Sequence, residues 1–405
     1  LDGSLKIDYL GTTYSMDKQL VQASPTIFDF SDAVFYDELG NKAEIEGGII
    51  HNYFKKFGLD AVIASPHFQF LNTEKNDTAL YYGTGIGDGN IEFTGNFKRT
   101  NMRIQATTGD QTKLYIPVED DYVTGGDAFI KFVFDQDSSK RRRGIVDLRG
   151  INLDMQLNIT PEAEVQIIFD EFSGDIIQGT GTGSLNMTIE RGGNFQMTGK
   201  YVIDQGQYLY TLLDFINKPF LIERGGVITW TGDPLAADLN MNATYTGLKV
   251  PPRNLIAEYL ESGINSSAAD AADITTQVDL VLSLQGILSQ PQIGFDIQFP
   301  EIDPSLNNYI DSKLRILKED ASELNRQVYG LLFFNSFLPP SINLDLAATT
   351  VNTLSEFITS QLSNYVAAYI TQGVEEVDYI SGVDFYFDYN FYRSEDFIQG
   401  QETGV

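Results

Sequence analysis

His51 and His67 are the only imidazoles in 405 residues, and cysteine is absent. Neither histidine sits in an H-E-x-x-H pattern, and without thiolates no Cys/His zinc set can form. Spacing alone leaves a Ser-His-Asp arrangement open, yet no G-x-S-x-G elbow occurs. An ordinary surface or half-buried place is the reading for both rings. Gly83-Thr84-Gly85-Ile86-Gly87-Asp88-Gly89 has the glycine density of a nucleotide loop. Its glycines alternate, however, and neither a G-x-G-x-x-G helix entry nor a Gly-Lys-Ser/Thr follows, so it reads as a bend or turn. Gly179-Thr180-Gly181-Thr182-Gly183 strips one strand face of side chains, which permits close backbone approach. Lys140-Arg141-Arg142-Arg143 reads as a solvated loop or, alternatively, as a contact for lipid phosphate or an acidic partner surface. Carboxylate clusters such as Glu119-Asp120-Asp121 carry little catalytic information in a chain of formal charge −29. Neither a calcium loop nor another metal or cofactor motif is present. The expectation is a protein that is not an enzyme and carries no cofactor or metal.

The same acidity argues against nucleic acid, which needs local Lys/Arg density, and against lying on an anionic leaflet. Hydrophobic residues at 42% and charged residues at 20% describe a globular chain rather than a disordered one. No run of 18 apolar residues is long enough to cross a bilayer as a helix. Starting at Leu1 and stopping at Val405 without a recognisable signal or end, the chain reads as a fragment of something longer, with any anchor outside it.

The elements that would position such residues are mostly strands. Leu185-Asn186-Met187-Thr188-Ile189 alternates, as do Phe195–Thr198 and Leu239–Tyr245. Val278, Leu280, Leu282 and Leu284 repeat the pattern, followed by Ile293, Phe295, Ile297 and Phe299. Each run puts apolar members on one face and polar members on the other, as in antiparallel strands with one wet side. Turn signals separate them at Gly40-Asn41, Gly125-Gly126-Asp127, Arg191-Gly192-Gly193-Asn194, Gly225-Gly226 and Gly232-Asp233-Pro234. The period changes near residue 301. Leu306, Ile310, Leu314, Leu317, Ala321, Leu324, Val328 and Leu331 form one stripe of a long amphipathic helix over 304–334, with Asp303 or Ser305 as its cap. A second helix is expected over 350–370 and a short one at 254–261. Alternation returns at Val383, Phe385, Phe387, Tyr389 and Phe391, a hydrophobic strand placed to end as an exposed edge. The division is thus a β region over 1–300, a helical segment over 301–378, and a terminal strand and tail over 379–405.

The most specific text lies between Gly144 and Tyr245. It includes Gly144-Ile145-Val146-Asp147-Leu148-Arg149-Gly150, Gly206-Gln207-Tyr208-Leu209-Tyr210, and a G-x-I-x-W-x-G-D-P-x-x-A run. That run carries Gly225, Gly226, Trp230, Gly232, Asp233 and Pro234. This text resembles the C-terminal domain of the TamB family, firmly over about 140–378 and by general character before that. Leu284–Asp296, Glu323–Leu332 and Leu354–Asn364 share the resemblance. The resemblance implies an elongated, taco-like antiparallel β groove with an apolar interior, held in the periplasm by an inner-membrane anchor outside this chain. It also implies a BamA-type outer-membrane barrel partner, TamA or a lipoprotein relative, and a role in outer-membrane biogenesis. That role is framed either as phospholipid transport or as protein translocation and insertion.

Periodicity and resemblance weigh differently on the apolar face. Alternation alone favours a closed sandwich or barrel core; the resemblance turns it into an open groove for phospholipid acyl chains. Its candidate lining is Leu185, Met187, Ile189, Met197, Leu239, Met241, Val278, Leu280, Leu282, Phe295 and Ile297. The strand Val383–Phe391 would attach the partner by β-augmentation.

Overall fold

The computed structural model describes residues 2–7, 10–31, 33–75, 81–118, 151–170, 174–190, 194–212, 216–263 and 266–339. The expected helix at 350–370, the terminal strand at 383–391, the basic cluster Lys140–Arg143 and the text Gly144–Gly150 lie outside these residues.

Strands dominate, and the 19 among the described residues join one sheet. The first five are short: β1 (Gly3–Ile7), β2 (Thr12–Met16), β3 (Gln22–Ala23), β4 (Ile27–Asp29) and β5 (Val34–Tyr36). A meander of long strands follows: β6 (Lys42–Asn52), β7 (Lys55–Thr73) and β8 (Tyr82–Asn96). Two short strands, β9 (Arg99–Thr108) and β10 (Lys113–Pro117), then lie end to end along the far edge of β8. β11 (Ile151–Ile159) and β12 (Glu164–Asp170) run parallel to β9 and β10 and share the long antiparallel partner β13 (Asp175–Ile189). Next come β14 (Phe195–Leu212), β15 (Ile216–Ile222), β16 (Val227–Gly232), β17 (Asp238–Val250), β18 (Thr276–Ile287) and β19 (Gln292–Gln298).

The glycine-rich stretches now have a structural reason. Gly83–Gly89 is not a turn but the interior of β8, and Gly179–Gly183 lies within β13. β8 pairs β9 from Gly87 onward and β10 up to Thr84. β13 likewise pairs β11 through Gly183 and β12 through Thr180. Each stretch is therefore where a long strand passes from one short neighbour to the next. A Cβ on Gly87 would lie 2.0 Å from the Thr107 carbonyl oxygen, and one on Gly181 would lie 2.1 Å from that of Val202. The sheet closes this tightly only with the side chains removed.

The helices correct the sequence reading. In place of one long helix there are two, α3 (Asn307–Glu319) and α4 (Ala321–Phe334), after the short α1 (Ala257–Glu261) and α2 (Ser266–Ala272). The break is at Asp320, whose extended backbone lets its carboxylate accept from the Ser322 and Glu323 amides. The Asp-x-x-Glu spacing is a helix-start signal hidden inside an unbroken apolar stripe. Ala321, assigned to that stripe, is exposed. Neither expected cap serves α3: its N-cap is Leu306, and Asp303 instead binds the amide and hydroxyl of Ser305.

Among the described residues the sheet carries two large apolar clusters and a small third one of Tyr82, Ile168 and Ile176. One large cluster gathers Tyr14, Phe35, Ile63, Phe68, Ile91 and Ile104 from the N-terminal strands. The other gathers Ile167, Phe220, Leu239, Leu280 and Leu282 with Ile310, Val328 and Leu331 of the helices. Met155, Leu157 and Phe195 pack against both.

Candidate functional site

Where the two clusters meet, the side chains do not fill the space. A cavity opens there, with about 1160 Å³ of atom-free space when its mouth is counted. Strand alternation builds its wall: Ile104 and Ala106 come from β9, Met155, Leu157 and Ile159 from β11, Val165 and Ile167 from β12, and Leu185 and Met187 from β13. Met197 and Tyr201 of β14, together with Trp230 of β16, close the far side.

Among the described residues no charged side chain lines it. Several of its polar atoms are tied to the protein itself. The Thr112 hydroxyl donates to the Ile86 carbonyl and accepts from the Ile86 amide at 2.7 and 3.1 Å. The Thr108 hydroxyl accepts from the Thr160 amide at 2.9 Å, and Trp230 Nε1 donates to the Pro234 carbonyl at 3.1 Å. Burial pushes the Tyr201 phenol well above its usual pKa, with Asp204 adding to the shift, so it stays neutral. Groups satisfied in this way present mainly carbon to the cavity.

The G-x-I-x-W-x-G-D-P run is the machinery of this wall. β16 carries Trp230, 4% exposed, and ends at Gly232. The Asp233 carboxylate then caps a single 3-10 turn at the Leu235 amide, with Pro234 in the first position. That turn fixes the Pro234 carbonyl where the indole can donate to it. At the other end of β16 the backbone turns through Gly225 at φ +96°, and a Cβ on Gly226 would meet Met241 at 2.8 Å.

The structure divides the expected lining residues into two groups. Leu185, Met187 and Met197 line the cavity. Ile189 is fully buried in the N-terminal cluster. Leu239, Met241, Val278, Leu280, Leu282 and Ile297 are at most 2% exposed and belong to the cluster that includes the helices, with Phe295 partly buried against it. Lining residues that the alternation reading missed include Leu114, Ile116, Met155, Leu157 and Val165. Met155 and Leu157 alternate within Ile151–Ile159, a signal open to the same period-two reading.

A polar clamp ties α4 to the segment that follows it. Arg326 donates to both Glu323 oxygens at 2.6 Å and to the carbonyls of Pro339 and Leu338. Gln327 exchanges two 2.9 Å hydrogen bonds with the Leu338 backbone. Burial raises the Glu323 pKa, but hydrogen bonds from Arg326 and Gln327 outweigh it and hold the carboxyl below its usual range.

His51 is buried among Phe28, Phe54 and Phe57, where its Nδ1 accepts from the Phe54 amide. Among the described residues no group of three or more His, Asp or Glu side chains is placed to hold a metal. No helix among them is long and apolar enough to cross a membrane.

One curled sheet around an apolar, uncharged lumen defines a β-groove protein. The chain belongs to the TamB family: the model of the TamB C-terminal domain matches residues 33–402. That family is a non-enzymatic part of the envelope's translocation and assembly module, which serves outer-membrane biogenesis and acts with an outer-membrane partner. No curated protein matches the chain.

Proposed function

We propose that the lumen is a passage for phospholipid acyl chains crossing the periplasm toward the outer membrane. Its largely apolar wall across strands β8 to β16, with no charged side chain among the described residues, is the observation that carries this reading. A chain of about 16 methylenes loses roughly 13 kcal/mol of stabilisation when moved from bilayer to water, at about 0.8 kcal/mol per CH₂. An apolar wall removes most of that barrier without a specific contact that would trap the guest. Met155, Met187 and Met197 suit this task, because unbranched thioether side chains adapt to a variable shape. An inner-membrane anchor outside this chain and a BamA-type barrel, TamA or a lipoprotein relative, complete the path. The strand Val383, Phe385, Phe387, Tyr389 and Phe391 is proposed as the barrel's attachment by β-augmentation.

Mass spectrometry of lipids retained after gentle purification tests the passage. Phospholipid should co-purify with the parent chain, and Met187→Asp should reduce it while leaving capture of the barrel intact. A parent chain free of lipid would refute the reading. The strand's alternation favours a second reading, an assembly factor for outer-membrane proteins. Under it, Phe385→Pro with Phe387→Pro would abolish the client-insertion activity while Met187→Asp would not affect it.

A further inference from the structure

All four exposed aromatic side chains among the described residues lie at two hairpin tips: Tyr53 (70%), Phe54 (63%), Phe57 (37%) and Phe97 (58%). The tips are neighbours. β7 leaves the first tip and pairs with β8 at Gly58–Asn96, and Asn96 leads directly into the second. Residues 52–57 and 96–99 are exposed without interruption, and they include Lys55, Lys56, Lys98 and Arg99. No ion pair engages these four cations among the described residues. Along these strands the first carboxylate is Asp60, three residues inward from Phe57. In a chain of net charge −29, this local concentration of positive charge stands apart.

The backbone shows that the aromatics are held there at a cost. Tyr53 and Phe54 have φ of 49° and 61° between the paired residues Asn52 and Lys55. Positive φ at both central positions is the type I′ hairpin, which favours Asn-Gly and disfavours bulky side chains. Lys56 follows at φ 53°. Phe54 stacks on the buried His51, but Tyr53 makes no ring contact among the described residues, and strain of this kind collects where side chains have work to do.

We infer that these two tips form a docking edge for the anionic surface of a phospholipid bilayer. Convex aromatic tips suit a soft apolar layer rather than a pocket. The lysines and the arginine suit the phosphates directly above that layer. Lysine-rich contacts are disfavoured at protein–protein interfaces, and a second copy of so acidic a chain would be repelled. The acidity that argues against lying flat on a leaflet therefore confines contact to the tips. The inference stands without the lumen, since docking requires nothing to enter it.

Flotation of the full 405-residue chain with vesicles tests the proposal, using phosphatidylcholine alone and equimolar phosphatidylcholine–phosphatidylglycerol. The parent should float with the mixed vesicles and less with the neutral ones. Tyr53→Asn with Phe54→Gly, a pair compatible with the turn, should weaken flotation about tenfold. Neutralising Lys55, Lys56, Lys98 and Arg99 to Gln should lower partition by about fivefold per charge at low salt and erase the lipid preference. In an otherwise parental chain, Phe97→Trp should shift its emission to the blue on adding mixed vesicles; Trp230, the single native tryptophan, is already buried. Failure of the parent to float, equal flotation of Tyr53→Asn/Phe54→Gly, or no emission shift would each overturn the proposal. Lipid found with protein that has not floated would report extraction into the lumen, not docking.

Discussion

Two stretches of the same sheet share one period-two pattern and end in different states. Over β9 to β14 the inward side chains face a cavity; over β17 to β19 they meet α3, α4 and the two short helices with nothing between. Met187 alternates as cleanly as Leu282, and neither side chain reveals its fate. What differs is the covering. Among the described residues, helices supply apolar groups such as Ile310, Leu317, Val328 and Leu331 to one end, and none of them lines the cavity. In this protein alternation states which way a side chain points, and the helical covering decides whether it faces open space or packed core.

Substitutions should expose that asymmetry. Leu282→Asp buries an unpaired carboxylate at a fully enclosed position and should cost more than about 4 kcal/mol or prevent folding. Met187→Asp, beside open space, should cost about half as much or less. Chemical denaturation of both variants checks the ordering, and equal losses would remove the distinction. Truncations should follow the same order at smaller scale: Leu280→Ala about 2–5 kcal/mol, Met197→Ala nearer the low end, since its cavity already exists.

The covering can also be loosened directly. Asp320→Ala removes the cap that divides α3 from α4 and should cost about 1 kcal/mol by thermal melting. The Glu323–Arg326 clamp should respond to acid. The Glu323 pKa is lower in the folded state, so its stabilisation is complete above the ordinary carboxylate range near 4.5 and is lost as pH falls through the folded value. Protection of the Leu338 amide in hydrogen exchange should therefore fall in acid, and less so in Glu323→Gln. At the opposite extreme, burial raises the phenols of Tyr14 and Tyr329 to about 12. Groups that hold their protons more tightly when folded lose stability as pH rises past their unfolded value near 10. The ultraviolet titration of these two phenols should accordingly lie near pH 12.

Much of this was legible in the sequence. Strand alternation and the turn at Gly225-Gly226 are legible from spacing, and the Trp230 run from its resemblance to the TamB family. The break at Asp320 was not visible to a periodicity reading, because the stripe crosses it at steps of three and four. α2 was missed for the opposite reason: its buried face is Ala268, Ala271 and Ala272, which raise no apolar signal. The division of the lining set was out of reach altogether, since it depends on which strands the helices cover. The aromatic tips are not legible in the sequence because the central pair Tyr53-Phe54 contains none of the residues by which a tight turn is read.

The central claim is that acyl chains occupy the lumen between the two clusters and not the helix-covered end. Phe195, which touches both clusters, and Phe295, which packs on Tyr210 at 5.6 Å in the covered end, are matched sites for a photoreactive phenylalanine analogue. Irradiation in intact cells followed by mass spectrometry should find phospholipid joined at 195 and none at 295. Equal labelling at both positions, or lipid at 295 alone, would contradict the account.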